Sequence, residues 1–150
     1  MKIAIFHDYF NKKGGGERVV LEMARAFEGD TYTGYIKYHQ TYEGLRKRKV
    51  IEIGKPLRNQ GLATVYLMHK FSRLKIVGYD LYIFSGTICL SAAKNHHPNL
   101  LYCHTPPRYI YDLKKWFDVK MHGLNKILLA LLRACLLYTS PSPRDRTRPR

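Results

Sequence analysis

Ile3-Ala4-Ile5-Phe6-His7-Asp8-Tyr9-Phe10-Asn11-Lys12-Lys13-Gly14-Gly15-Gly16-Glu17-Arg18-Val19-Val20 decides the fold. Residues 2–6 read as a buried first strand, apolar from Ile3 to Phe6. His7 to Phe10 follow at its carboxyl end, and a glycine-rich loop comes next. A helix is expected from about Glu17, because Val19, Val20, Met23, Ala24 and Phe27 recur at helical spacing. Gly29-Asp30 ends it, and residues 31–36, rich in β-branched and aromatic side chains, form a second strand. Strand, glycine loop, helix, strand is a βαβ unit, which places the chain in the α/β class with a parallel sheet flanked by helices.

Gly14, Gly15 and Gly16 let a backbone approach a ligand closely, and the helix start beside them offers free N–H groups. An anionic or hydroxyl-rich ligand suits that spot; a plain tight connection explains the glycines equally well. The pattern is neither GxGxxG nor a P-loop, since no GK[ST] follows.

Further along, the basic run Arg46-Lys47-Arg48-Lys49 precedes a third strand at residues 50–53. Asn59 or Gln60 caps a helix reaching about Lys75. On it Leu67, Met68, Phe71 and Leu74 share one side, while His69, Lys70 and Arg73 share the other. That basic face is either a solvated surface or, with residues 46–49, a dock for an anionic membrane. Residues 79–84 form the next strand, with Ser85 at its carboxyl end. A short helix covers residues 88–94, and His96-His97 falls in a turn, read as exposed and not as a metal site.

Residues 100–103 are a short buried strand by composition. His104 and Thr105 come next, and Pro106-Pro107 halt the strand because proline cannot donate to the ladder. His104 thus stands at a strand's carboxyl end, the edge where open α/β sheets bind ligands. A helix over residues 124–134 buries Leu124, Ile127, Leu128, Leu131 and Leu132.

The net charge of +15 is uneven: residues 1–44 balance, whereas residues 45–75 hold nine Lys/Arg against one Asp/Glu. The block names a face suited to an anionic partner. Cys89, Cys103 and Cys135 lack CxxC spacing and lie among apolar residues, as reduced core cysteines of a cytosolic protein do. Cys103 and His104 are poor joint metal ligands, because adjacent strand residues face opposite ways. No signal peptide is evident, and no apolar run reaches the ~20 residues of a membrane span, so the chain is expected to be cytoplasmic or peripheral at a membrane. Residues 138–150, with three prolines and four arginines, cannot bury enough surface to order themselves. They are a basic tail or, as we expect, translated sequencing adapter.

Three segments together resemble a known family. Gly14-Gly15-Gly16-Glu17-Arg18-Val19 resembles the Gly-Gly-Ala-Glu-Arg-Val segment after the first strand of family 4 glycosyltransferases, with Gly16 in place of alanine. Tyr79-Asp80-Leu81-Tyr82-Ile83 resembles their Tyr-Asp-hydrophobic strand. His104-Thr105-Pro106-Pro107-Arg108-Tyr109 resembles the His-Thr-Pro-Pro-Arg-Tyr segment of a mannosyltransferase-like branch. The resemblance implies the Rossmann-like amino-terminal half of a GT-B enzyme at residues 1–134, with residues 135–150 a disordered tail. It implies retaining transfer from a nucleotide sugar to a lipid-linked or saccharide acceptor, with no metal or other cofactor. A second domain, absent from these 150 residues, would hold the nucleotide, and this chain alone would be inactive.

By that resemblance Gly14 and Gly15 approach the donor diphosphate, and His104 meets the transferred sugar; otherwise His104 is a core residue bonded to nearby backbone. Thr105 and Arg108 join the site by the same motif, although Arg108 equally suits an ion pair with Asp112. Asp8 and Ser85 are weaker cleft candidates. Two other classes compete: a non-catalytic Rossmann-like binding domain, and a basic nucleic-acid module. The latter lacks any interleaved basic-aromatic, zinc or helix-turn-helix pattern, so no nucleic-acid partner is expected.

Overall fold

In a computed structural model, the structure describes residues 1–104, 114–120, 122, 123, 126, 127, 129, 130, 133 and 134. The chain divides into two compact units, Met1–Thr105 and Pro106–Arg150.

The first unit is a five-stranded sheet in the order β3-β2-β1-β4-β5, every pair parallel. Its strands are β1 (Ile3–His7), β2 (Asp30–Thr33), β3 (Val50–Glu52), β4 (Leu81–Ser85) and β5 (Asn99–Leu101). Helix α1 (Gly15–Ala26) joins β1 to β2, and helix α2 (Gln60–Arg73) joins β3 to β4. Two 3-10 helices, Glu43–Lys47 and Cys89–Asn95, complete the unit.

Side chains of β1 alternate between two cores because successive strand residues face opposite ways. Ile3 and Ile5, with Ile83, pack on Val20, Leu21 and Ala24 of α1 and on Leu45 of the first 3-10 helix. On the other face Phe6 lies against Phe71 of α2 and against Tyr82, Phe84 and His96. The second 3-10 helix is stitched to α2, since Ser91 Oγ donates to the Met68 carbonyl at 3.0 Å and Asn95 Nδ2 to that of Ser72 at 2.9 Å. Helix α2 is capped as expected: the Asn59 side chain accepts from the Leu62 N–H at 3.1 Å, and Ala63, Leu67, Met68 and Phe71 are buried.

Several expectations change. Helix α1 begins at Gly15, not Glu17, so Gly14 is the cap and the other two glycines form the first turn. Strand β2 stops at Thr33; Gly34 follows, its N–H donating to the Asp8 carbonyl at 3.0 Å, and a side chain there would strike that carbonyl and Leu67. The strand expected to be buried at residues 100–103 is instead β5, whose three residues are all exposed. It is the last strand of the sheet and, among the described residues, pairs only with β4. Cys103, beyond it, is exposed, whereas Cys89 is buried. His96 is 1% exposed rather than turn surface. It accepts from the Ile76 N–H at 3.1 Å and bonds the Ala92 carbonyl at 2.7 Å, which satisfies both ring nitrogens.

In the second unit α3 (Lys114–Lys120) carries an edge-on Trp116–Phe117 pair, with Lys120 Nζ 4.5 Å from the Trp116 ring centre. Residues 126, 127, 129, 130, 133 and 134 are helical, and Arg133 pairs with Asp118. Ile127, expected on the apolar face, is exposed, and Leu129 is buried in its stead. Leu124, Leu128, Leu131, Leu132, Cys135 and residues 138–150 lie outside the described residues. Among the described residues no helix is long and apolar enough to cross a membrane.

Candidate active site

Strand order reverses between β1 and β4: the chain moves from β1 outward through β2 and β3, then returns to β4 and β5. At such a switch point the loops leave in opposite directions and open a crevice beyond the strands' carboxyl ends. His7 and Ser85 are register partners there.

The crevice is built by polar contacts that span the sheet. The imidazole of His7 is buried and donates from Nδ1 to the Ser85 carbonyl at 2.6 Å. Ser85 Oγ, with no solvent exposure, lies 2.6 Å from Nε2 of His104. His104 is exposed as a residue, but its Nε2 edge meets this buried hydroxyl. Desolvation by its surroundings, and then the nearby His7, lower the His104 pKa from its usual value; Glu17 and Asp8 oppose this without cancelling it. The neutral imidazole is therefore favoured further down the pH scale than for a free histidine.

The start of α1 reaches the same point. A side chain built at Gly16 would come 3.8 Å from the His104 ring, ordinary contact distance, so the alanine usual in the resembled family would fit. Among the described residues nothing lies within 4 Å of such a position at Gly15. Gly14 is different: a side chain there would collide with the buried Glu17 carboxylate. The Gly14 φ of −101° is open to any residue, so a side chain here would need only the Glu17 carboxylate to swing aside. Among the described residues no side chain caps α1, and its first-turn N–H groups have no capping bond from them.

Asp8 has a structural use. Its carboxylate accepts from the N–H groups of Thr87, Ile88 and Cys89 at 3.0, 2.8 and 2.8 Å. It thereby clamps the turn that follows Ser85, and a side chain at Gly86 would strike it. Thr105 and Arg108 lie outside the described residues.

The basic residues do not form one surface layer. Arg46 and Lys47 belong to the 3-10 helix whose Leu45 packs with α1, while Lys70 and Arg73 ride on α2 across the sheet. Lys49 pairs with Asp30 at 2.6 Å, and the Arg46 guanidinium sits 5.6 Å from the Tyr38 ring centre. The expected common face therefore separates into two clusters.

Sequence reasoning missed His7, Glu17 and an adjoining pocket of about 190 Å³ lined by Tyr9, Asn11, Tyr35, Gln60, Thr64 and Leu67 among others. Tyr9 and Tyr35 stack at 5.2 Å with 7° between their rings. Burial, with Asp8 next, raises the Tyr9 phenol pKa, so its hydroxyl stays protonated. Only the position of His7 and Tyr9 at and just past the carboxyl end of the first strand signalled them in advance.

No protein-family model matches the chain, and no curated protein matches it. Among solved structures, the apo form of lipopolysaccharide outer core galactosyltransferase WaaB superposes with a TM-score of 0.52 at 17% identity, over 97% of this chain. The match covers 44% of that enzyme, so the chain spans less than half its length. A five-stranded parallel sheet, helices on both faces and this likeness make the fold that of a GT-B glycosyltransferase fragment.

Proposed function

We propose that the chain is the acceptor-side part of a retaining glycosyltransferase of cell-envelope synthesis, acting at the cytoplasmic side of a bacterial membrane. It moves a sugar, mannose in our reading, from a nucleotide sugar to a lipid-linked or polysaccharide acceptor. The observation that carries this is the meeting of His104 with the uncapped start of α1 at the switch point.

Each part has a task in this reaction. The free N–H groups at Gly15 and Gly16 suit the donor diphosphate, because a helix start carries positive charge and Gly15 leaves room. His104 faces the sugar being transferred. The tyrosine pocket has no charged residue in its lining, so it suits an uncharged acceptor ring held by stacking and hydroxyl contacts. We assign the nucleotide to a further domain, in keeping with the 44% coverage of the neighbour. The 150-residue chain alone should then transfer nothing, since donor and acceptor are not held together.

The test uses an enzyme carrying both domains. With radiolabelled mannosyl and galactosyl nucleotides offered in parallel and a lipid extract as acceptor, His104→Ala should cut turnover on the order of 10²-fold. Donor affinity should change little. Near-wild-type turnover would remove His104 from the site, and galactosyl preference would remove mannose.

A further inference from the structure

A fully buried hydroxyl needs an acceptor for its proton. For Ser85 Oγ the one hydrogen-bond partner among the described residues is Nε2 of His104, at 2.6 Å. Were Nε2 to carry the proton instead, both atoms would present hydrogens or the serine proton would be left orphaned in the interior. Nε2 is therefore the acceptor, and the single proton of a neutral imidazole resides on Nδ1.

We propose that Ser85 is a positioning residue that fixes His104 as its Nδ1–H tautomer, so that His104 offers substrate a hydrogen-bond donor rather than a base. The inference rests on the transferase reading above. His7 completes the device: a carbonyl can only accept, so His7 Nδ1–H donates to the Ser85 carbonyl and holds its backbone still. The chain of contacts runs from β1 to β4 to the segment after β5, and register pairing of His7 with Ser85 sets its first step. With Nε2 occupied, Nδ1–H is the group left for a sugar hydroxyl or for the departing diphosphate oxygen. Burial and the nearness of His7 disfavour imidazolium, which would place a proton on Nε2 against the hydroxyl.

Long-range ¹H–¹⁵N NMR on the labelled 150-residue chain at neutral pH reads the tautomer without any assay of activity. His104 should show a protonated Nδ1 and an unprotonated Nε2. Ser85→Ala should shift the signals toward the Nε2–H form, and Ser85→Thr, which keeps a hydroxyl, should restore them. A wild-type spectrum with Nε2 protonated overturns the proposal and requires no variant to fold. In the two-domain enzyme Ser85→Ala should lower kcat by about tenfold, the worth of one hydrogen bond, with KM for the donor unchanged. If His104→Ala is damaging and Ser85→Ala is silent, the positioning role fails alone. If both are silent, the transferase reading of the site fails with it.

Discussion

Removing the Asp8 carboxylate should destabilise the first unit by about 2–4 kcal/mol. The figure follows from three backbone N–H groups, on Thr87, Ile88 and Cys89, that lose an ionised acceptor at 2.8–3.0 Å. A hydrogen bond to a charged group is worth about 1.5–3 kcal/mol, and orphaned buried donors cost similar amounts. Asp8 is only half-buried, so water recovers part of the sum. Asp8→Ala should show the full loss. Asp8→Asn should cost only about 1 kcal/mol, because an amide oxygen can keep the two bonds made by Oδ1 and turns an N–H toward Thr87 alone. Urea unfolding should report this as a fall in midpoint at constant m-value, and melting should drop on the order of 10–20 °C for Ala. In the two-domain enzyme, Asp8→Ala should also lower turnover, since the turn it clamps begins one residue after Ser85. If Ala and Asn variants both match wild type within about 0.5 kcal/mol, the carboxylate is not a clamp, and Asp8 returns to the list of residues free to meet substrate.

Three other outcomes follow from the same structure. Gly15→Val should leave melting nearly unchanged, because among the described residues nothing lies within 4 Å of an added Cβ, yet weaken donor binding by the two-domain enzyme; unchanged binding, measured by calorimetry, would mean that no ligand approaches α1 there. At acid pH, Asp30 should contribute to unfolding: burial pushes its carboxyl up, but hydrogen bonds from Lys49 and Tyr79 outweigh this and hold it below the usual range. A depressed carboxyl gives stability that is present above its unfolded pKa of about 3.9 and lost as pH falls through the folded value, so Asp30→Asn should flatten the acid limb of a stability–pH curve, and an unaltered limb would refute the pairing. Neutralising Arg46, Lys47, Arg48 and Lys49 should weaken binding to anionic vesicles by about 1 kcal/mol per charge near the surface, while neutralising Lys70 and Arg73 should not, since they lie in the opposite layer; equal effects would restore a common face.

The chain's pattern alone settles the α/β class, the first βαβ unit, a cap for α2 at Asn59 or Gln60 and the location of His104 past a strand end. These follow from local rules: apolar runs, helical spacing and proline's missing donor are properties of a few neighbouring residues. Local composition could not decide burial. Leu100 and Leu101 look like core by type, yet β5 is the edge of the sheet, and His96 looks like turn surface, yet it is enclosed by Phe6, Tyr82 and Phe84. Which strand ends at an edge depends on pairings between residues almost eighty positions apart, such as Ile3 with Leu81, and no window of sequence contains both. The partners of the site have the same origin. His7, Ser85, Asp8 and the Thr87 turn meet only because a parallel sheet sets β1 beside β4 at the point where strand order reverses. The sequence determines that a histidine is presented at a strand end; the tertiary structure decides that a buried serine holds it there, because hydrogen bonds are satisfied in space and not along the chain.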